Sequence, residues 1–229
     1  MNNSQELFDA FREDVVDQAL PYLWSEAEVT DYADIAYRQF IRLTGGISDF
    51  TSDACVIDLA IGVDVYDTHP SLLRIMDATL RSTGREVKVI NSTDVNTLYA
   101  SDSDYGFPRD LIRKNTPGAP RFLLIGMQKD VAKVIQIPTA VDAIDMVIYR
   151  LPLDNIVDGS HPLSDIDGDH HRSLLQWMKY LAHLKQDAET FDKDKSAACE
   201  ERFRAYCVER KAEWERKLYK PRAVAYGGL

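Results

Sequence analysis

Long apolar runs are missing from this chain. Its most apolar uncharged stretch, Phe122-Leu-Leu-Ile-Gly-Met127, falls far short of the ~20 residues that span a bilayer, so no membrane segment is expected. The opening Met1-Asn-Asn-Ser-Gln-Glu has neither the basic start nor the apolar core of a secretory leader, and none is expected. Cysteine is scarce. Cys55, Cys199 and Cys207 form an odd set, which argues against a disulfide framework and for reduced thiols in a cytoplasmic folding compartment. On one helix, Cys199 and Cys207 stand about 12 Å apart by helical rise, beyond the roughly 7 Å between Cα atoms that a disulfide tolerates.

Positive charge is in deficit: 27 Lys and Arg face 37 Asp and Glu, a net charge of -10. A protein that grips phosphates needs the opposite balance, so a DNA-gripping role is disfavoured. The deficit is local. Residues 1–60 hold 12 acids against Arg12, Arg38 and Arg42 alone, while the rest of the chain is nearly neutral.

What is present is an ordinary globular composition, 45% hydrophobic over 229 residues, enough for one domain with a sub-domain or two small ones. Leu7, Phe8, Phe11 and Val15 recur at helical spacing, and Pro21 is expected to end that first helix. Ser25-Glu-Ala-Glu28 reads as a capping box. It opens a second helix with the stripe Val29, Tyr32, Ala36, Phe40 and Leu43, closed by Gly45-Gly46.

From Cys55 to Leu153 the pattern becomes β-type: Cys55–Val65, Leu72–Leu80, Glu86–Ile90, Phe122–Met127, Val131–Ile137 and Met146–Leu151, with Gln128-Lys-Asp130 as a tight turn. Ser92–Leu98 reads as a short helix and Asp102–Pro120 as a loop. Helical spacing returns at Leu174, Leu175, Met178, Leu181 and Ala182. A last helix over roughly Asp192–Tyr219 carries Cys199, Phe203, Cys207, Trp214 and Leu218 on its stripe, and between Asp187 and Lys220 nine acids alternate with nine bases.

The expected class is therefore α+β, with N-terminal and C-terminal helical hairpins forming a helix bundle and an antiparallel β module inserted between them. The boundaries read as 1–50 for the first hairpin, 51–157 for the β module, 158–220 for the second hairpin and 221–229 for an extended tail.

Catalytic signatures are sparse. No Gly-x-Ser-x-Gly elbow, P-loop or dinucleotide fingerprint occurs, and no cysteine sits in a catalytic motif. The densest polar cluster, Asp165-Ile-Asp167-Gly-Asp169-His170-His171, has residue types that ligate metals. It misses the calcium-loop spacing, with Gly168 fourth and Gln176 twelfth, and only its Asp169-His-His triplet echoes the DHH phosphoesterases. Helix capping by Asp167 or Asp169 is the favoured reading. A metal-dependent enzyme using this cluster is the competing class. The basic residues Arg109, Arg113 and Lys114, with Tyr105 and Phe107, fall in the long loop and read as an exposed contact segment for a neighbour or tail protein.

Three stretches taken in order resemble the head-to-tail adaptor, or connector, proteins of tailed bacteriophages. The first is Phe11–Ala36, a short helix, the turn Pro21-Tyr-Leu-Trp-Ser25 and an amphipathic helix. The second is Tyr149-Arg-Leu-Pro-Leu153. The third joins Asp169–Leu181 to Lys185–Asp192 and the final charged helix. The resemblance implies a non-enzymatic structural protein without cofactor: one subunit of a dodecameric ring below the portal, bound to tail nozzle or tail tube proteins, with DNA passing through the lumen as non-specific cargo. It places the protein in the virion neck, and in the host cytoplasm during assembly. A tail completion or terminator protein is the nearest alternative.

Within that reading, Trp214, Leu218, Tyr219, Val224, Tyr226 and Leu229 are expected at the portal interface, because apolar side chains on a segment of weak folding preference suit ordering on a partner. Glu26, Glu28, Asp31 and Asp34 are candidates for the lumen or its rim, since DNA carries about one negative charge per 1.7 Å and slides past an acidic wall.

Overall fold

Local signals set the helix boundaries. The computed structural model describes residue 1 and residues 3–92, 115–186 and 190–218. The chain divides into two units, Met1–Gly45 with Pro152–Leu229, and Gly46–Leu151.

In the first unit Asn3 caps helix α1, Ser4–Asp14, accepting a hydrogen bond from the Glu6 amide at 3.1 Å, and Leu7, Phe8 and Phe11 form its buried face. The helix stops well before Pro21. The competing partner is Asp17, a buried carboxylate that accepts the amides of Leu23 and Trp24 at 2.8 and 3.3 Å and pairs with Arg12 at 2.9 Å. These bonds hold a turn in place of two further helical turns.

Helix α2, Glu26–Thr44, has the expected start: the Ser25 side chain accepts the Glu28 amide while Glu28 accepts the Ser25 amide. Gly45, at φ 110°, closes it. Its core face is rotated from the expected stripe. Ala33, Tyr37 and Ile41 are buried with Val29, Ala36 and Phe40, whereas Tyr32 and Leu43 are only half-buried.

Among the described residues this unit has two further α-helices, α3 over His171–Leu184 and α4 over Lys193–Leu218. Asp192 caps α4, its carboxylate accepting the Lys195 amide at 3.0 Å. The core between α2, α3 and α4 is aromatic: Phe203 lies 6.4 Å from Phe40 and 5.0 Å from Trp177, centroid to centroid. Each such ring, once buried, contributes roughly 1.5–3 kcal/mol. Trp24 is buried as well, edge-on to Phe11 at 5.8 Å.

The described residues of the second unit form nine strands: β1 (Ile47–Asp49), β2 (Val56–Leu59), β3 (Val65–Asp67), β4 (Leu72–Leu80), β5 (Arg85–Glu86), β6 (Lys88–Asn91), β7 (Phe122–Gln128), β8 (Val131–Ile135) and β9 (Asp142–Arg150). One sheet runs β1-β9-β4-β5, with β2 also on β9. The other runs β3-β8-β7-β6. Their inner faces share one core that includes Ile57, Ile75, Leu123, Val134, Ile144 and Ile148.

The mixed α+β class expected from the sequence is what the structure shows. The β module is not purely antiparallel, because β6 and β7 pair in parallel. Their connection runs from residue 92 to 121, long enough for the crossover that parallel neighbours require. The expected strand Cys55–Val65 is two strands around a turn, where Gly62 adopts φ 78° and donates to the Pro138 carbonyl. Strand β9 starts at Asp142 and is the central strand of its sheet. Cys55, Cys199 and Cys207 are free and buried. Burial pushes the Cys207 thiol up to about 12.

Candidate interaction surfaces

Within residues 165–171 the two histidines are engaged in packing, while Asp165, Asp167 and Asp169 are exposed. His171 is buried, with Nδ1 2.7 Å from the Met1 carbonyl and Nε2 3.0 and 2.8 Å from those of Leu163 and Ile166. Neither nitrogen offers a lone pair outward. His170 Nδ1 meets the Tyr206 hydroxyl at 2.7 Å, and burial, then the Arg210 charge, lower its pKa. Asp167 and Asp169 do not cap the helix. Asp167 heads a short 3-10 turn over Gly168–His170 without a side-chain capping bond. Its carboxylate goes instead to Arg210 of α4 at 3.2 Å, where opposite charge outcompetes a helix amide. Among the described residues no three His, Cys, Asp or Glu side chains gather closely enough to hold a metal ion.

The four acids of α2 divide into two kinds. Glu28 is engaged with the Ser25 amide at 2.8 Å and with Lys185 at 2.8 Å, and these bonds lower its pKa. Asp34 pairs with Arg38 at 3.1 Å and accepts the Ile156 amide at 2.9 Å. Glu26 and Asp31 are exposed and line a groove whose apolar lining includes Phe8, Val29, Ile156 and Val157.

A second concavity lies where α2 ends against α4. Leu43, Cys207, Val208 and Ala212 supply its apolar surface, and Arg204, Lys211 and Glu215 its charges. Trp214, expected at the portal interface, is half-buried on α4. The side chain of Leu218, and Tyr219, Val224, Tyr226 and Leu229, lie outside the described residues, as do Tyr105, Phe107, Arg109, Arg113 and Lys114 and all but Ser92 of the expected helix Ser92–Leu98.

Sequence reasoning missed the turn between α1 and α2 as a surface. Val16, Leu20 and Leu23 are 85%, 78% and 42% exposed there. The available signal was four apolar residues, Val15, Val16, Leu20 and Leu23, beside Pro21 in a segment with no strand alternation.

No curated protein matches the chain. A sequence model described as SU10 adaptor protein matches residues 2–224, which is nearly the whole chain, and the chain therefore belongs to the SU10 adaptor protein family, a family of phage head-to-tail adaptors.

Proposed function

We propose that this phage adaptor is one subunit of a dodecameric ring that sits below the portal in the virion neck and connects it to tail nozzle or tail tube proteins, with DNA passing through the lumen. The family match across nearly the whole chain is the observation that carries this reading. In it the helical hairpins form a bundle that carries the β module, and the protein works by mating surfaces and performs no covalent chemistry. The chain assembles in the host cytoplasm and ends as a structural component of the virion.

The portal contact is assigned to Trp214, Leu218, Tyr219, Val224, Tyr226 and Leu229. The segment Tyr105, Phe107, Arg109, Arg113 and Lys114 is assigned to a tail protein or a neighbouring subunit. Of the four acids on α2, Glu26 and Asp31 are free to face the lumen or its rim because they are exposed, whereas Glu28 and Asp34 act there through the partners they already hold. The net charge of -10 supports a conduit that lets DNA slide.

The test is truncation after Lys217, assayed by cryo-electron microscopy of the chain mixed with the portal of the same phage. Folding is expected to persist, because the core residues of α4 lie at or before Cys207, and portal attachment is expected to be lost. Normal attachment by the truncated chain would overturn the assignment of the portal contact.

A further inference from the structure

We propose that the groove between α1, α2 and residues 155–159 is a docking site for a basic peptide segment of a partner protein, which lays an aliphatic side chain on the floor and a lysine or arginine at the rim. The proposal goes beyond the ring reading and stands whether or not a ring forms; within that reading it sets Glu26 and Asp31 at the rim.

The groove has a volume of about 550 Å³, which suits a few residues of peptide and is far too small for a folded domain. Its walls are tied together. Asp34 of α2 accepts the Ile156 amide at 2.9 Å, and the Ser4 hydroxyl of α1 donates to the Asp158 carbonyl at 2.8 Å. Phe8, Val29 and Ile156 make an apolar floor, and Val157, 74% exposed, an apolar lip.

The charge of the groove is uncompensated. Glu26 and Asp31 line it and are exposed, and their carboxylates have no ion-pair or hydrogen-bond partner among the described residues. The Asp158 carboxylate holds the amide and hydroxyl of Ser160 and, among the described residues, no cation. The cations nearby are already matched: Arg12, which lines the groove, pairs with Asp17 at 2.9 Å, and Arg38 pairs with Asp34 at 3.1 Å. Glu26, Asp31 and Asp158 therefore leave a net negative field, which attracts a cationic partner and repels a nucleic-acid phosphate.

Arg12 adds an independent demand. It is only 9% exposed, and its Nη2 is buried without a hydrogen-bond partner. A buried donor left unpaired is costly, and what satisfies it is an acceptor. A lysine or arginine head has none to offer, whereas a main-chain carbonyl does. A basic peptide brings the acceptor, the positive charge and the apolar side chain together, which a simple cation cannot.

The test is calorimetric titration of the full chain with acetyl-Lys-Val-Leu-Lys-amide. Saturable binding is expected, weakened by added salt and about tenfold weaker in the Glu26→Gln/Asp31→Asn chain. Both positions are exposed, so that variant is expected to keep the parent melting midpoint. Acetyl-Glu-Val-Leu-Glu-amide is expected not to bind. Spermidine, which has charge and methylenes but no carbonyl, is expected to bind about tenfold more weakly than the basic peptide. Absence of saturable binding, or equal affinity in the double variant, overturns the proposal. Equal affinity for spermidine overturns it as well, because it shows a site for cations and not for a peptide.

Discussion

At the scale of single residues, Asp49 shows how a buried charge is retained. Burial alone would raise its pKa. The Ser52 hydroxyl, Arg150 and the amides of Thr51 and Ser52 outweigh that cost and hold the carboxyl well below the ordinary range. Its contact with Arg150 is 2.5 Å, and both side chains are nearly covered. Replacing Asp49 by Ala leaves the guanidinium buried without a counter-charge, and breaking such a pair costs about 3 kcal/mol. Thermal unfolding is expected to drop by several degrees, with Asp49→Asn milder because an acceptor remains. An unchanged midpoint in Asp49→Ala would show that the pair contributes nothing.

His170 sets a second residue-scale expectation. Burial and Arg210 lower its pKa below the ordinary histidine value of 6.5. The unfolded chain therefore binds the proton more readily than the folded one, and stability falls as pH drops below about 6.5. Melting curves from pH 7.5 down to about 5.5 are expected to shift to lower temperature, and His170→Gln is expected to flatten that slope. An equal slope in the variant would remove His170 as the cause.

Elements divide by how local their determinants are. The capping box at the start of α2 involves residues three apart in the chain, so its geometry follows from Ser25 and Glu28 alone. Glu28→Ala is expected to cost about 1 kcal/mol by circular-dichroism melting, almost all of it from the cap; the half-exposed pair with Lys185 adds little. Full retention of the melting midpoint would mean that the cap is redundant.

Strands behaved differently. The register of β4 slips at Leu72/Arg74 and again at Ile75/Asp77, and Leu73 and Met76 are exposed on either side of the buried Ile75. Bulges of this kind answer to the partner strand β9 and leave no trace in the alternation of β4 itself. The parallel pairing of β6 with β7 likewise depends on the path of a long connection and not on either strand's composition.

For the whole molecule, composition and pattern determined the α+β class, the order of helices before and after a β region, the acidic first quarter and the absence of a catalytic motif, because these depend on periodicity and charge along the chain. The resemblance to head-to-tail adaptors was also readable from the order of its packing and capping segments, and the family match agrees. Only the tertiary structure decided the fate of particular polar groups. Asp167 chose Arg210, 43 residues away, over the helix it precedes; Asp17 ended α1 by gathering amides from across a turn. It also decided which apolar side chains stay outside, as Val16 and Leu20 do while Tyr37 and Phe203 are buried. The reason is physical: a side chain's hydrophobicity is its own property, but burial, pairing and charge satisfaction are properties of the neighbours that folding brings to it.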